Sequence, residues 1–394
     1  MPANKPPFDG EWVKVAEVFN LQIGKTPSRK KMEYWNTGEY DWVSIKDLGS
    51  YGRFVGRTKE TISELGRIES GIKQVPSNTL LMSFKLSLGK TSITTRPIYT
   101  NEAIMAFLDK GTFQFDLGYM WHQFRTKDWA TGTNMAVMGE TLNKKTLGSA
   151  LIRLPDLRTQ RMVASHLDVI QGQLEIAAKK LERLDTLVKS RFVEMFEGDD
   201  CIQTTMGQLV SGIVAGTNVG GQQRSIGEGE YAVLKISAVT KGVFDSNQYK
   251  VVEDVSSIKM IHPRKGDLLF SRANTSEMIG ATALVDRDYD RLFLPDKLWR
   301  IEPAEGVNSI FLKALLSSSR VRAEMSKVST GSSGSMQNIS MAKFRNLPGI
   351  IPPLALQQEF ADFVRQVDKS RFIVQQKIEK LQMLYNSLAQ EYFG

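Results

Sequence analysis

Two long stretches of the chain alternate apolar and polar residues with the period of a helix that pairs with another helix. In residues 154–196 apolar side chains recur at steps of three and four, and Gln, Lys, Glu and Arg fill much of the remainder; residues 351–393 repeat this pattern. A seam with a mean spacing of about 3.5 residues is typical of coiled coils. Pro155, Pro352 and Pro353 stand just before the predicted helices, where the missing N–H of proline interrupts nothing.

The two stretches are copies of each other. A shift of 197 positions superimposes them without a gap and pairs Pro155 with Pro352 and Gln160 with Gln357. Two surface helices that each pack only on their own domain would also be amphipathic, but matched copies are better explained if they pair with each other. We therefore predict an antiparallel coiled coil with a pseudo-two-fold axis and a globular domain near each end. The first helix, if it runs from residue 159 to 196, would be about 55 Å long.

Six apolar seam positions are predicted to carry helix pairing and the docking of partner proteins. They are Leu174, Leu181, Leu184, Ile378, Leu381 and Leu388. A charged side chain at a buried seam position would lose its hydration without gaining a partner. Replacing Leu181 and Ile378 by Asp is therefore predicted to disrupt the pairing of the helices.

The segments before the two helices are mixed in character. Strand-like apolar runs alternate with turns rich in Gly, Asn and Asp, and shorter helical stretches intervene, which predicts an α+β class. They echo each other loosely: residues 38–40 recur as residues 229–231, Thr26 and Thr217 stand at the same distance before these, and residues 78–84 resemble residues 266–272. The predicted organisation is a variable domain (1–150), a helix (151–197), a second variable domain (198–347) and a second helix (348–394).

Composition narrows the class of protein. The chain has 394 residues, 41% of them hydrophobic, a formal net charge of +8, one cysteine and three histidines. It can bury real cores, lacks the cysteines for disulfides or a zinc module, and spaces its histidines too widely for a metal site. No apolar run approaches the ~18–20 residues that span a bilayer, and no signal segment is visible. We expect a cytoplasmic protein, and the positive charge favours a polyanionic partner.

Several loops carry the side chains that bind phosphates and read base edges. Lys and Arg neutralise phosphates, and Arg, Asn and Gln also recognise bases. For any single loop a plain surface turn is the more natural interpretation, because Gly, Ser, Asn and Lys dominate turns. The candidate DNA-binding residues are Lys25, Thr26, Ser28, Arg29, Lys30, Lys85, Lys90, Thr133, Asn134, Thr217, Asn218, Ser271, Arg272, Asn274, Ser332, Ser333 and Gln337.

The sequence contains no recognisable catalytic motif. Lys25 and Lys90 follow glycines as in a phosphate-binding P-loop, but Phe19 and Phe84 occupy the positions where that loop needs its first glycine. No glycine-rich cofactor loop follows a strand, and no nucleophile stands near a base in sequence. We therefore predict no catalytic residue and no metal ligand in this chain.

The repeated helix start resembles the conserved regions of type I restriction–modification specificity subunits. It reads Leu154-Pro155-Asp156-Leu157-Arg158-Thr159-Gln160 in the first copy and Ile351-Pro352-Pro353-Leu354-Ala355-Leu356-Gln357 in the second. Residues 266–272, 279–285 and 334–340 also resemble the target-recognition domains of that family. One departure is Asp156, which stands where the second copy has Pro353 and is expected to weaken the first helix start slightly.

The resemblance implies two mixed α/β target-recognition domains, each reading one half of a bipartite, asymmetric DNA sequence. It implies that the paired helices dock two methyltransferase subunits and that restriction subunits join the complex for host defence. The chain would be a non-catalytic subunit of a DNA adenine methyltransferase and restriction endonuclease. S-adenosylmethionine, ATP and Mg would then bind to the partners, and this chain would hold no cofactor.

Two other functions compete with this interpretation. A coiled-coil scaffold that binds protein partners without DNA specificity would share the helices, and it would bind its partners without dependence on salt or nucleic acid. A fused methyltransferase with an unrecognised site would transfer methyl groups as an isolated chain. The missing cofactor loop argues against the second alternative.

Overall fold

The computed structural model describes residues 8–85, 87–129, 142–198, 201–331 and 336–394. The chain divides into two compact units, which we call unit 1 (Met1–Ala178 with Gln376–Gly394) and unit 2 (Lys179–Gln375). Two helices of 40 residues each contribute to both units, and their bounds differ by the 197 positions that relate the sequence copies. The predicted domain boundaries at residues 150 and 347 stay predictions.

The elements alternate in the same way in both halves of the chain. The first half contains, in chain order, β1 (Glu11–Lys14), α1 (Val15–Val18), β2 (Phe19–Ile23), β3 (Trp35–Val43), α2 (Ile45–Leu48), β4 (Glu60–Ile62), α3 (Glu64–Ser70), β5 (Leu80–Ser83), β6 (Thr91–Ile93), β7 (Tyr99–Thr100), β8 (Ile104–Asp109), α4 (Leu117–Thr126), α5 (Lys144–Ser149), β9 (Leu151–Leu154) and α6 (Leu157–Phe196). The second half contains β10 (Ile202–Thr205), α7 (Met206–Leu209), β11 (Val210–Ala215), β12 (Tyr231–Leu234), β13 (Tyr249–Val252), β14 (Leu268–Ser271), β15 (Ala273–Asn274), β16 (Thr282–Leu284), β17 (Leu292–Phe293), β18 (Leu298–Pro303), α8 (Ser309–Ser317), α9 (Ser319–Val328), β19 (Gln337–Asn338), α10 (Met341–Arg345), β20 (Pro348–Ile351) and α11 (Leu354–Phe393).

Unit 1 is built on an antiparallel sheet with the strand order β2-β8-β5-β6. A smaller sheet, β4-β3-β7, pairs β3 in parallel with β7, and β1 forms a separate ribbon with β9. Because side chains alternate across a strand, β5 serves two cores. Leu80 and Met82 pack in the core that includes α4, and Leu81 packs with Val43 and Ile98 in another.

Unit 2 repeats the order of these three sheets and also contains the short β15–β19 pair. Its four-stranded sheet has the order β11-β18-β14-β16, its three-stranded sheet the order β13-β12-β17, and β10 forms a ribbon with β20. The parallel pair recurs too, between β12 and β17. The predicted internal repeat and the α+β class are confirmed. Each unit adds helices to one topology, and the loops between the strands carry the differences.

The long helices run antiparallel within each unit. In unit 1, His166 of α6 lies 3.2 Å from the Tyr392 hydroxyl of α11, and Gln173 accepts a hydrogen bond from Lys377 at 2.9 Å. As α6 advances, its partner position on α11 therefore recedes. In unit 2, Asp185 pairs with Arg371 at 2.5 Å and Arg191 with Glu359 at 2.9 Å, which follows the same rule. The predicted antiparallel pairing is confirmed.

The six predicted seam residues face inward to different degrees. Three of them pack against the core of unit 1: Leu174, Leu381 and Leu388. The other three are half-buried: Leu181, Leu184 and Ile378. Their role in docking partner proteins stays a prediction.

One buried glutamine locks the start of each long helix. Gln160 donates to the carbonyls of Pro155 (2.8 Å) and Gln114 (3.3 Å) and accepts from the Asp116 N–H at 2.7 Å. Gln357 makes the same bonds to Pro352 (2.9 Å), Gly306 (3.2 Å) and Asn308 (2.9 Å). Both side chains are fully buried. The repeated glutamine therefore ties the helix start to the loop before α4 or α8.

Asp156 does not weaken the first helix start, contrary to the expectation from sequence. Its carboxylate accepts hydrogen bonds from the Thr159 N–H at 3.0 Å and the Thr159 hydroxyl at 2.7 Å. This is the bonding of a helix N-cap, which satisfies a backbone donor that the first turn leaves unpaired. The Thr159 hydroxyl and N–H lower the pKa of the Asp156 carboxyl.

A buried polar chain joins three helices of unit 1. His122 of α4 is fully buried and lies 2.7 Å from the Asp168 carboxylate of α6 and 2.8 Å from the Tyr385 hydroxyl of α11. Because a carboxylate only accepts, Nε2 of His122 carries the proton and Nδ1 accepts from Tyr385. Arg53 completes the chain with two hydrogen bonds of 2.7 and 2.8 Å to Asp168.

The buried contacts of His122 predict that unit 1 loses stability on mild acidification. Burial lowers the pKa of His122, and this outweighs the hydrogen bond and charge of Asp168, which raise it. The folded state therefore holds His122 neutral, and stability falls as the pH drops from about 6.5, the ordinary pKa of histidine, towards the lowered value. Denaturation at pH 7.5 and 5.5 should show this loss.

Replacing His122 by Gln should flatten the pH response, because an amide keeps both hydrogen bonds but takes up no proton. Burial raises the pKa of Asp168, but the hydrogen bonds from His122 and Arg53 lower it by more. The pKa of Asp168 therefore lies below its ordinary value. Asp168 thus stays ionised between pH 5.5 and 7.5. An unchanged slope in the His122→Gln variant would show that another group causes the pH dependence.

The histidines and the cysteine of the described residues serve the fold. His262 lies 2.8 Å from the carbonyl oxygen of Leu292, and Cys201 is half-buried. Among the described residues, no three His, Cys, Asp or Glu side chains lie close enough together to hold a metal ion. No helix in the same part of the chain is long and apolar enough to cross a membrane.

Candidate nucleic-acid interface

The predicted DNA-binding residues of unit 1 meet at one end of its four-stranded sheet. β2 ends at Ile23 opposite Met105, and β5 ends at Ser83 opposite Ile104. Because both strands run antiparallel to β8, the loops that follow them leave the sheet at the end where β8 begins. The β2–β3 loop (residues 24–34) carries Lys25, Thr26, Ser28, Arg29 and Lys30, and the β5–β6 loop (residues 84–90) carries Lys85 and Lys90.

Unit 2 gathers its predicted residues in the same place. β11 ends at Ala215 opposite Trp299, and β14 ends at Ser271 opposite Leu298. The β11–β12 loop (residues 216–230) carries Thr217 and Asn218, and Arg272 and Asn274 follow β14 directly. The short β15–β19 pair then places Gln337 opposite Asn274. Asn274 and Gln337, which are 63 positions apart in sequence, therefore share one end of the sheet.

The β2–β3 loop is fixed to the sheet by its backbone. Gly24 donates to the Ile104 carbonyl at 3.1 Å, and Lys25 donates to the Thr100 carbonyl at 2.8 Å. Thr26 turns inward, where its hydroxyl accepts from the Asn101 amide at 3.0 Å and bonds to Glu102. Thr26 therefore shapes the loop, while the exposed Lys25 caps the Ser70 carbonyl with its ammonium group.

Two tryptophans hold this loop in place through hydrogen bonds to its backbone. Trp42 donates its indole N–H to the Lys25 carbonyl, and Trp35 donates to the Ser28 carbonyl, both at 3.1 Å. Both rings are buried and meet edge to face with centroids 5.0 Å apart. Neither tryptophan was among the residues predicted from sequence. The signal lay in two tryptophans seven residues apart, directly after the most basic loop of the chain.

Three of the predicted lysines of unit 1 differ in their surroundings, and Lys85 is half-buried. Lys30 is exposed and has no hydrogen-bond or ion-pair partner in the part of the chain that the structure describes. The Lys85 ammonium lies 5.3 Å from the ring centroid of Phe84. Lys90 is exposed, and its backbone N–H donates to the Ser83 hydroxyl at 3.1 Å. These three cations are available for phosphate contacts.

The position of Ser271 contradicts the prediction that this residue contacts DNA. Its side chain is fully buried, and its hydroxyl donates to the Ala273 carbonyl at 3.1 Å. A hydroxyl enclosed at the end of a central strand cannot reach a phosphate or a base. Ser271 instead supports the bend between β14 and β15 that presents the residues after it.

Arg272 is held in place by contacts with Asp296. Its guanidinium donates to the Asp296 carbonyl at 3.0 Å and lies 3.3 Å from the Asp296 carboxylate, with 29% of the side chain exposed. The neighbouring Asn274 accepts from the Thr275 N–H at 2.9 Å, and its amide nitrogen is buried without a hydrogen-bond partner among the described residues. Gln337 accepts from the Ser329 hydroxyl at 3.3 Å, which orients its amide. Guanidinium and amide groups are the groups that recognise base edges.

Of the remaining predicted residues, two lie in the β11–β12 loop and four lie outside the described residues. The Thr217 hydroxyl donates to the Lys259 carbonyl at 3.0 Å, so its side chain braces the β11–β12 loop, while Asn218 is exposed. Thr133, Asn134, Ser332 and Ser333 lie outside the described residues.

Arg224, in the β11–β12 loop, was not among the residues predicted from sequence. Arg224 forms two hydrogen bonds of 2.6 Å with the Glu230 carboxylate, which also accepts from the Gly227 N–H at 2.7 Å. These contacts, the Arg224 bonds foremost, hold the pKa of Glu230 at about 2. The Arg224–Glu230 ion pair therefore joins two positions of the same loop.

The family follows from comparison with known proteins. The family model described as "Type I restriction modification DNA specificity domain" matches residues 8–186 and 223–383. The chain belongs to this family. The two matched ranges correspond to the two copies of the repeat, so the sequence family and the duplicated topology agree on the type I specificity fold.

Curated relatives carry the same description. The chain is 26% identical over 196 residues to the type I restriction enzyme MjaIX specificity subunit of Methanocaldococcus jannaschii, covering 49% of this chain and 45% of that one. It is 30% identical over 122 residues to the EcoprrI specificity subunit of Escherichia coli, covering 30% of each. These matches span less than half the length of either relative.

Two solved structures share the type I specificity fold along nearly the whole chain. The crystal structure of a type I restriction–modification S subunit from M. genitalium matches with a TM-score of 0.52 and 14% identity, covering 99% of both chains. A chain from a structure of type I complex assembly and conformational transition matches with a TM-score of 0.54 and 14% identity, covering 98% of both. At this identity the likeness concerns the fold.

Proposed function

We propose that the chain is the DNA-sequence-recognition subunit of a type I restriction–modification complex and that each unit reads one half of a bipartite target. One observation carries the proposal: in both units, loops rich in phosphate- and base-binding side chains collect at the same end of the same four-stranded sheet. A repeated scaffold with unlike loops is suited to two unlike half-targets. The target is therefore asymmetric.

The partners dock on the long helices. Exposed apolar side chains occur on the helices of both units, which is unusual for a helix that faces only water. In unit 1 they include Met162, Val169, Ile176, Met383 and Leu384, and in unit 2 Leu187, Val193, Phe372 and Ile373. We assign these positions to two methyltransferase subunits, one for each copy of the repeat, with restriction subunits joining the complex.

The chemistry belongs to the partners in this proposal. S-adenosylmethionine, ATP and Mg bind to the methyltransferase and restriction subunits, and this chain supplies recognition. The isolated chain is accordingly expected to transfer no methyl group to DNA. Methyl transfer by the purified chain alone would replace the proposal with a fused methyltransferase.

Co-expression with the neighbouring genes tests the proposal directly. Native mass of the purified complex should show one copy of this chain with two methyltransferase copies, and methylome sequencing should return two specified words separated by unread bases. Binding should weaken steeply with salt because phosphate contacts release counterions. A single contiguous word, or a chain that purifies alone and ignores DNA, would favour a protein scaffold instead.

Substitution of one loop residue in each unit is expected to affect one half-target each. Arg272→Ala should weaken binding by about 1–3 kcal/mol, because it removes a fixed guanidinium from unit 2. Lys25→Ala should weaken binding less and lower the salt dependence, as loss of a phosphate contact does. Fluorescence anisotropy with duplexes scrambled in either half measures both effects.

Thermal melting serves as the control for these two variants. Both side chains are at least partly exposed, so the melting temperatures should stay close to that of the parent chain. If both variants bind every duplex as the parent does, the interface lies on other loops.

A further inference from the structure

Arg29 is held more firmly than its position on an exposed loop requires. Its guanidinium carbon lies 3.6 Å from the ring centroid of Trp35 and 5.0 Å from that of Trp42. The two indoles are 7% and 1% exposed, whereas half of the Arg29 side chain is exposed. One face of the guanidinium therefore rests on a rigid aromatic platform, while half of the side chain stays exposed.

The same indoles fix the backbone that leads to Arg29. The Trp42 N–H holds the Lys25 carbonyl and the Trp35 N–H holds the Ser28 carbonyl, each at 3.1 Å. The segment between these anchors cannot shift without breaking a hydrogen bond to a buried ring. A ligand of Arg29 would therefore find the side chain already ordered, which removes an entropic cost of binding.

The edge of the guanidinium faces the two oxygens of one carboxylate. The Arg29 nitrogens bond to the Glu60 carboxylate through two contacts, one of them 3.1 Å long. The major-groove edge of guanine offers the same arrangement, because its O6 and N7 accept two hydrogen bonds from one arginine. Glu60 thus occupies the place of a ligand with two adjacent acceptors.

We infer that Arg29 reads a guanine in the half-target of unit 1 through bonds to O6 and N7, and that Glu60 holds the guanidinium until the base replaces it. The inference rests on the proposed function and names the base that this loop recognises. Arginine is suited to this role, since lysine carries the charge but cannot form two parallel bonds.

Comparison with the neighbouring cations singles out Arg29. Lys30 has no partner among the described residues and suits a phosphate contact. Arg224, in the corresponding loop of unit 2, forms a similar pair with Glu230, but it stacks on no aromatic ring of the described residues. Glu230 is also tied to the Gly227 N–H at 2.7 Å, so that pair is part of its loop.

The test uses the complex of the full chain co-expressed with its neighbouring genes. The parent methylome gives the target, and duplexes with each G·C pair of the target replaced in turn then measure discrimination by the Arg29→Lys and Lys30→Ala variants. Arg29→Lys should lose about ten- to hundredfold discrimination at one G·C pair and keep it elsewhere. Lys30→Ala should weaken binding to every duplex by the same factor.

An Arg29→Lys variant that discriminates at every position as the parent does would overturn the inference. So would an Arg29→Ala variant that weakens binding to all duplexes uniformly, because this is the behaviour of a phosphate contact. A parent complex without sequence preference would instead contradict the proposed function, so the two failures are distinguishable.

A second pair of variants tests the role of Glu60. Glu60→Gln and Glu33→Gln each remove one negative charge from unit 1, but only Glu60 bonds to Arg29. Glu60→Gln should raise affinity for the parent target several-fold more than Glu33→Gln, because no ion pair must be broken. Weaker binding by Glu60→Gln would show that the carboxylate is not displaced by DNA.

Discussion

Replacing Gln357 by leucine is expected to lower the free energy of unfolding of unit 2 by about 3 kcal/mol or more. The side chain is fully buried, and it satisfies the Asn308 N–H and the carbonyls of Gly306 and Pro352. Leucine would leave all three groups without a partner, and each buried unpaired group costs about 1–3 kcal/mol. Gln160→Leu should do the same to unit 1. Urea denaturation of the full chain measures both effects.

Gln358 provides a matched control one residue further along the same helix. It is exposed, and its hydrogen bonds to Asn308 and Asp362 lie at the surface. Surface substitutions of this kind usually change stability by less than about 0.5 kcal/mol. If Gln357→Leu unfolds at the same urea concentration as Gln358→Leu, the repeated glutamine does not hold the helix start.

The long helices could be predicted from sequence nearly to the residue. Their seam repeats over many turns, and the second copy independently reports the same register, so a chance pattern is excluded. The predicted start at Thr159 differs from the observed start at Leu157 by two residues, because Asp156 caps the helix earlier than expected. Local periodicity and a local cap decide such a boundary, and both are written in adjacent residues.

The interface could be predicted only in outline. Residue type identified Arg272, Asn274 and Gln337, but only the strand order β11-β18-β14-β16 and the β15–β19 pair show that they meet. Ser271 resembled a loop residue because burial at a strand end depends on elements far away in sequence. Arg29 was identified as a cation, whereas its stacking on Trp35 depends on how the loop folds back over the sheet.

One alignment between the two units was off by a residue. The sequence paired Thr26 with Thr217, since both stand at the same distance before a Gly-Glu-Tyr segment. The structure instead matches Lys25 with Thr217, because each donates its N–H to a carbonyl of the strand segment beside it, Thr100 and Leu294. The glycine before each one, Gly24 or Gly216, makes this close approach possible.

Replacing Gly216 by alanine is therefore expected to displace the β11–β12 loop and abolish recognition by unit 2. A Cβ atom at this position would collide with the backbone of Leu294 and Pro295. Backbone atoms of a neighbouring segment cannot rotate away as a side chain can, so the loop itself must move, at a cost of about 1–3 kcal/mol in stability. Gly24→Ala should affect unit 1 in the same way, through the carbonyls of Thr100 and Asn101.

Gly220→Ala in the same loop is the matched control, because a Cβ atom there has nothing within 4 Å. It should bind both half-targets as the parent does, whereas Gly216→Ala should bind a full target no better than a duplex scrambled in the half read by unit 2. Fluorescence anisotropy on these duplexes, with urea denaturation alongside, separates a displaced loop from an unfolded unit. Equal binding by Gly216→Ala and Gly220→Ala would mean that the β11–β12 loop does not take part in recognition. The interface of unit 2 would then be restricted to Arg272, Asn274 and Gln337.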